Sequence, residues 1–368
     1  MHLPLLRSNL PSLFNPNEAS GRLTPLNDFG TNPGNLKSWF YVPEREAGVK
    51  LPMVVVLHGC TQTATSYDRG SGWSELASVY GFATLFPEQQ RTNNPNLCFN
   101  WFEPGDTRRA AGEALSIAEM ILTMIAQHGI DPERVFITGL SAGGAMTSVM
   151  LANYPELFAG GAIIAGLPHG AATNVPEALQ QMRAHSPSRR TTGRSIQAAS
   201  PHRGPWPTVS VWHGSGDTVV SPSNADAILQ QWHEVHEMPG GPEEDRVAGF
   251  PHRTWRDQKG RPVLEEYRVI GMGHGTPLAA SGEDGYGQAG PFMLEVGISS
   301  TVQSAKTWGL LTQRRQKVSS SNEIFFRAAG HFMNFVPLLQ NRVGVRWADY
   351  RIAASVPDGD GGPGTTMR

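Results

Sequence analysis

Cysteine is scarce in this 368-residue chain, which holds only Cys60 and Cys98. Two cysteines cannot build a disulfide framework. With no Cys-x-x-Cys pair they offer no structural zinc site, and a single bridge between them stays open. Long apolar runs are missing too: no stretch approaches the roughly 20 residues needed to span a bilayer. The first residues, Met1-His2-Leu3-Pro4-Leu5-Leu6-Arg7, lack a basic segment followed by an apolar run. That predicts no secretory signal and a cytoplasmic protein, with secretion left open if a leader precedes Met1. Charge of one sign is not in excess, since 30 basic residues face 32 acidic ones for a net charge of -2. The balance gives no electrostatic footprint for nucleic acid or an anionic membrane. Gly (41) and Pro (28) are abundant but scattered without a period, which excludes collagen-like and repeat architectures and marks many turns.

What is present suits a globular enzyme: 39% hydrophobic and 17% charged residues. Residues 1 to 36 are rich in Asn, Pro and Ser and read as an irregular arm. Strands are expected at Trp39 to Val42, Met53 to Leu57, Phe82 to Phe86, Val135 to Thr138, Gly160 to Ala165, Thr208 to Trp212 and Glu265 to Ile270. Between them lie helical patterns at Ser74 to Tyr80, Arg108 to His128, Ala142 to Asn153 and Ser223 to His236. A closing helix from Ser299 to Leu310 is capped by Ser299 or Ser300. This alternation predicts an α/β fold with a mainly parallel, twisted sheet and helices on both faces, occupying residues 37 to 312. Residues 168 to 206 are polar and basic and read as a lid-like insertion. Residues 238 to 252 read as a surface loop. Residues 313 to 368 form a C-terminal extension, partly disordered, in which 324 to 339 suggests an apolar-faced helix.

Gly139-Leu140-Ser141-Ala142-Gly143 matches Gly-x-Ser-x-Gly. It follows the apolar strand Val135-Phe136-Ile137-Thr138 and opens a helix read as amphipathic. That is the context a nucleophile elbow requires, with the hydroxyl above the sheet at a helix N-terminus. A serine nucleophile needs a base, and the base an orienting carboxylate, in the chain order Ser, acid, His for α/β-hydrolases. His274, in Gly271-Met272-Gly273-His274-Gly275, follows the last strong strand and is the expected base. Asp217, in Trp212-His213-Gly214-Ser215-Gly216-Asp217, is the expected acid. Asp226 competes, but lies within a predicted helix. The turn His58-Gly59-Cys60 after the Met53 to Leu57 strand is placed to supply an oxyanion donor. The backbone amides of Cys60 and Ala142 are the expected pair. His233 and His236, three apart, read as a helix face rather than metal ligands. No metal or cofactor is called for.

Together these segments resemble the polyhydroxybutyrate depolymerase family of esterases. The matching runs are Leu57-His58-Gly59-Cys60-Thr61-Gln62, Phe86-Pro87-Glu88-Gln89, Cys98-Phe99-Asn100-Trp101-Phe102, Gly139-Leu140-Ser141-Ala142-Gly143-Gly144, Ser210-Val211-Trp212-His213-Gly214 and Gly271-Met272-Gly273-His274-Gly275. The resemblance implies an α/β-hydrolase acting on short-chain hydroxyalkanoate esters, with Ser141, Asp217 and His274 as triad. It also implies that Cys60 and Cys98 lie close together and that Trp101, with Asn100 and His58, meets substrate. A separate substrate-binding module is not seen in residues 311 to 368, which favours oligomers, amorphous granules or small esters. A feruloyl or acetyl-xylan esterase shares the early His-Gly-Cys and the serine motif and is the alternative, with a non-catalytic protein on this fold behind it. Expected partners are a polyester, oligoester or small ester; residues 324 to 339 are expected to pack against the body or a second subunit in a homodimer, with attachment to a polymer granule or membrane surface as the alternative.

Overall fold

Leu51–Leu57 is apolar at nearly every position because both faces of this strand are covered. Met53, Val55 and Leu57 point into one hydrophobic layer, while Val54 and Val56 point into the other. The computed structural model describes residues 21 to 183, 192 to 282 and 285 to 312.

Among the described residues the strands are β1 (Thr24–Pro25), β2 (Lys37–Tyr41), β3 (Leu51–Leu57), β4 (Ala83–Glu88), β5 (Ile130–Leu140), β6 (Gly160–Ile164), β7 (Thr208–Gly214), β8 (Glu243–Val247), β9 (Phe250–Arg256), β10 (Pro262–Val269), β11 (Thr276–Leu278) and β12 (Met293–Glu295). The helices are α1 (Ala64–Ser71), α2 (Trp73–Tyr80), α3 (Pro104–Thr107), α4 (Gly112–His128), α5 (Ala142–Asn153), α6 (Val175–Met182), α7 (Gly193–Ala198), α8 (Ser223–Val235) and α9 (Ser300–Thr307). The main sheet runs β1-β2-β4-β3-β5-β6-β7-β10-β9-β8. Its six central strands, β4 to β10, are parallel, and antiparallel strands flank them at both edges. Such a sheet gathers the loops after its strands along one edge, where α/β proteins build their sites.

Several sequence expectations need correction. α4 begins at Gly112 rather than Arg108, since Ala110 and Gly112 both take positive φ and break the helical path. Gly129, at φ 58, ends it as expected. α5 is not amphipathic: all twelve of its residues are buried, so it lies inside the molecule rather than on it. Residues 243 to 256 are not a loop but the hairpin β8–β9, closed by Ala248 and Gly249 at φ 49 and 84. Paired positive φ at two central residues is the hairpin turn that matches strand twist. Part of the supposed arm belongs to the body, since Leu26, Phe29 and Leu36 are buried in the core and β1 pairs with β2. Within residues 168 to 206 the chain forms α6 and α7. Ser299 caps α9 through a bond from Val302 N–H. Residues 313 to 368, including the helix expected at 324 to 339, lie outside the described residues.

Candidate active site

The turn from β5 to α5 is tight enough to dictate its own sequence. Ser141 sits at φ 57, ψ -116, a conformation that costs a non-glycine residue roughly 1–3 kcal/mol and needs surroundings that enforce it. Its N–H donates to Ile164 O over 2.9 Å, and its carbonyl accepts from Ala145 N–H over 2.8 Å. The two motif glycines are there for space. A Cβ on Gly139 would lie 2.4 Å from Gly143 O, and one on Gly143 would lie 2.4 Å from Leu57 O. The serine is left at the head of a buried helix, 9% exposed.

The loops after β7 and β10 bring Asp217 and His274 together. Ser215 N–H donates to Val269 O at 3.0 Å, Gly216 N–H to Met272 O at 2.9 Å, and Gly271 N–H to the Ser215 hydroxyl at 2.8 Å. The loops are so close that a Cβ on Gly214 would lie 2.2 Å from Met272 O. His274 Nδ1 is 2.7 Å from Asp217 Oδ2. The other carboxylate oxygen accepts from Val219 N–H and Val220 N–H, each at 2.9 Å. Burial alone would raise the Asp217 carboxyl. Hydrogen bonds from His213 and His274, the His274 charge and the Val220 amide outweigh it and hold the group well below the usual carboxylate range. An ionised carboxylate only accepts, so Nδ1 of His274 carries the proton and Nε2 is left basic.

The third component is the turn after β3. Cys60 and Cys98 are bonded, with sulfurs 2.08 Å apart. Among the described residues the N–H groups of Cys60 and Ala142 have no protein acceptor. Both residues line a cavity of about 380 Å³ with Ser141. Its remaining wall is mostly apolar, with Trp101, Leu167, Val175, Leu179, Met182 and Val220, and carries the uncharged polar side chains of Asn94 and Asn96. Asp226, the competing acid, pairs instead with Arg268 at 2.7 Å on the outer surface.

Residues 36 to 240 match the family model described as esterase PHB depolymerase. The chain belongs to the PHB depolymerase family of esterases. It is 44% identical over 296 residues to poly(3-hydroxyalkanoate) depolymerase C of Paucimonas lemoignei, covering 78% of this chain and 70% of that protein. It is 32% identical to acetylxylan esterase A of Aspergillus oryzae, covering 70% of this chain and 86% of that protein. Its structure is similar to the acetyl xylan esterase from Aspergillus awamori, with a TM-score of 0.66 at 25% identity, covering 79% of this chain and all of that one. The fold is that of the α/β-hydrolases, and the family's chemistry is carboxylic ester hydrolysis.

Within this PHB depolymerase-family fold, not every residue expected at the site reaches it. Trp101 lines the cavity. Asn100 stands behind the wall: its side-chain amide contacts Asp106 at 3.2 Å, and its oxygen accepts from Asn94 at 3.0 Å. The His58 side chain is 1% exposed, with both ring nitrogens occupied by Gly59 O and Gln89 N–H, so it fastens the Cys60 turn instead of meeting substrate.

Two supports were not anticipated. Glu113, in the first turn of α4, accepts from Asn100 N–H at 2.9 Å and from the Gln89 amide at 2.5 Å, and Gln89 also donates to Cys98 O. Burial, reinforced by Asp106, pushes the Glu113 carboxyl up to about 8. His213 places Nε2 2.9 Å from Val220 O and 3.3 Å from Asp217 Oδ2, so the carboxylate has a histidine on each side. The His-Gly pair before Asp217 was the only sequence signal for it.

Proposed function

We propose that this esterase cleaves short-chain hydroxyalkanoate esters, as oligomers or amorphous polymer, through an acyl-enzyme on Ser141. The observation that carries the reading is the 2.7 Å contact between His274 Nδ1 and Asp217 Oδ2, joining loops 57 residues apart at the sheet edge that bears the strained Ser141. His274 Nε2 takes the Ser141 proton as Oγ attacks the ester carbonyl. The amides of Cys60 and Ala142 hold the oxyanion, each contributing about 3 kcal/mol to the transition state. As the tetrahedral intermediate collapses, the C–O bond breaks and His274 returns the proton to the departing alcohol. Water, deprotonated by the same nitrogen, then releases the acid.

The apolar cavity supports a short aliphatic acyl group, and at about 380 Å³ it is larger than an acetyl group needs. α6, from the insertion at 168 to 206, forms one wall through Val175, Leu179 and Met182, which supports reading that insertion as substrate-facing. A second reading, deacetylation of xylan, is supported by the acetylxylan esterase relatives. The Cys60–Cys98 bridge supports an oxidising compartment over the cytoplasm. Among the described residues no helix is long and apolar enough to cross a membrane.

The test is hydrolysis of p-nitrophenyl butyrate, amorphous polyhydroxybutyrate and acetylated xylan by wild type and Ser141→Ala. We expect activity on the first two and a loss of at least about 10⁴-fold in the mutant. Wild-type turnover of acetylated xylan alone overturns the substrate assignment. Undiminished activity of Ser141→Ala overturns the mechanism.

A further inference from the structure

The apolar cavity accounts for one side of a scissile ester, and a second concavity borders the same reaction centre. A cleft of about 420 Å³ begins where the Cys60 turn continues into Thr61 and Gln62. It ends at Phe292, whose ring meets the His274 ring edge-on at 6.1 Å between centroids. The two concavities share no lining residue. They also differ in chemistry. Charged side chains are absent from the lining of the apolar cavity, whereas the cleft is lined by Ser66, Arg69 and Gln288 besides Thr61 and Gln62. Arg69 lies in the last turn of α1, exposed, and among the described residues it has no hydrogen-bond or ion-pair partner. The far wall is fastened to the same helix end: Gln288 N–H donates to Gly70 O at 3.0 Å, and Gly287, at φ 84, packs so closely that its Cβ would lie 2.2 Å from that oxygen.

A hydroxyalkanoate ester has a direction. Cleavage leaves the hydroxyl-terminal part on the serine as acyl group and releases the carboxyl-terminal part as alcohol. In a short oligomer the released alcohol is a hydroxyacid whose carboxylate lies one monomer from the broken bond. The acyl part suits the cavity without charge, and the anionic part suits the cleft that holds the Arg69 guanidinium. We propose that this cleft is the leaving-group subsite and that Arg69 binds the free carboxylate of the departing hydroxyacid. The proposal rests on the polyester reading above.

The test compares 3-hydroxybutyrate trimer as the free acid with its methyl ester, which differs only in the terminal charge. For Arg69→Gln the ratio of kcat/KM on the free acid to that on the methyl ester falls about tenfold or more, through KM, and Arg69→Lys restores part of it. Because the ratio is taken within one protein preparation, partial misfolding cancels. An unchanged ratio in Arg69→Gln, with wild type active on both trimers, overturns the subsite and leaves the polyester reading standing. Wild type that turns over p-nitrophenyl butyrate but neither trimer overturns the subsite, and if it also leaves amorphous polyhydroxybutyrate intact the polyester reading falls with it.

Discussion

Protonating His58 will loosen the turn that carries Cys60, and its surroundings set the size of the effect. Nδ1 lies 2.8 Å from Gly59 O, and Gln89 N–H points at Nε2 over 3.1 Å. A carbonyl only accepts, so Nδ1 carries the proton. An amide N–H only donates, so Nε2 does not. A proton added at Nε2 would face another donor in a site closed to water. Burial pushes the ring down to about 4 from its ordinary 6.5, with the Gly59 carbonyl opposing. Above 6.5 neither folded nor unfolded chain holds the extra proton. Between 6.5 and 4 the unfolded chain takes it up and the folded chain does not, so stability falls as pH falls. At 1.36 kcal/mol per pH unit the window amounts to about 3 kcal/mol. Urea denaturation of wild type and His58→Gln across this window measures it, because glutamine keeps an acceptor for Gln89 and does not titrate. His169, also lowered to about 4 by burial, contributes equally to both proteins and cancels. The wild type should lose about 3 kcal/mol more than the variant over this range. Parallel curves would refute the assignment of a neutral, structural His58.

Asp217→Asn keeps the shape of the carboxyl but presents an amide to His274 Nδ1, favouring the wrong tautomer; kcat should fall on the order of 10³- to 10⁴-fold with little change in KM. Activity within about tenfold of wild type would remove Asp217 from its role. Cys98→Ser opens a bridge spanning 38 residues, and chain entropy puts the loss at up to about 4 kcal/mol. Thermal denaturation of the variant, and of wild type with and without reductant, checks this. An unchanged transition would show that the bridge contributes nothing.

Much of the architecture was legible because it depends on local pattern. α5 was delimited at Ala142 to Asn153 from the elbow motif, although its burial all round was not read, and the six central parallel strands were each placed, mostly from short apolar runs. β8 escaped notice because Glu243-Glu244-Asp245-Arg246 shows no apolar alternation. An edge strand facing water needs none, and the turn at Ala248 and Gly249 supplied the pairing. His58 was misplaced for the opposite reason: adjacency to Cys60 in sequence suggested adjacency to substrate, while its ring turns into the protein.

The sequence alone determined the fold class and the Gly-x-Ser-x-Gly turn at Ser141, because strand periodicity, glycine spacing and turn chemistry act over a few neighbouring residues. Only the tertiary structure decided that Asp217 rather than Asp226 meets His274, that Cys60 bonds to Cys98, and that Glu113 and His213 stand behind the site. Those contacts join residues far apart in the chain. Their geometry depends on how neighbouring strands stagger and how closely loops approach, which no local pattern records.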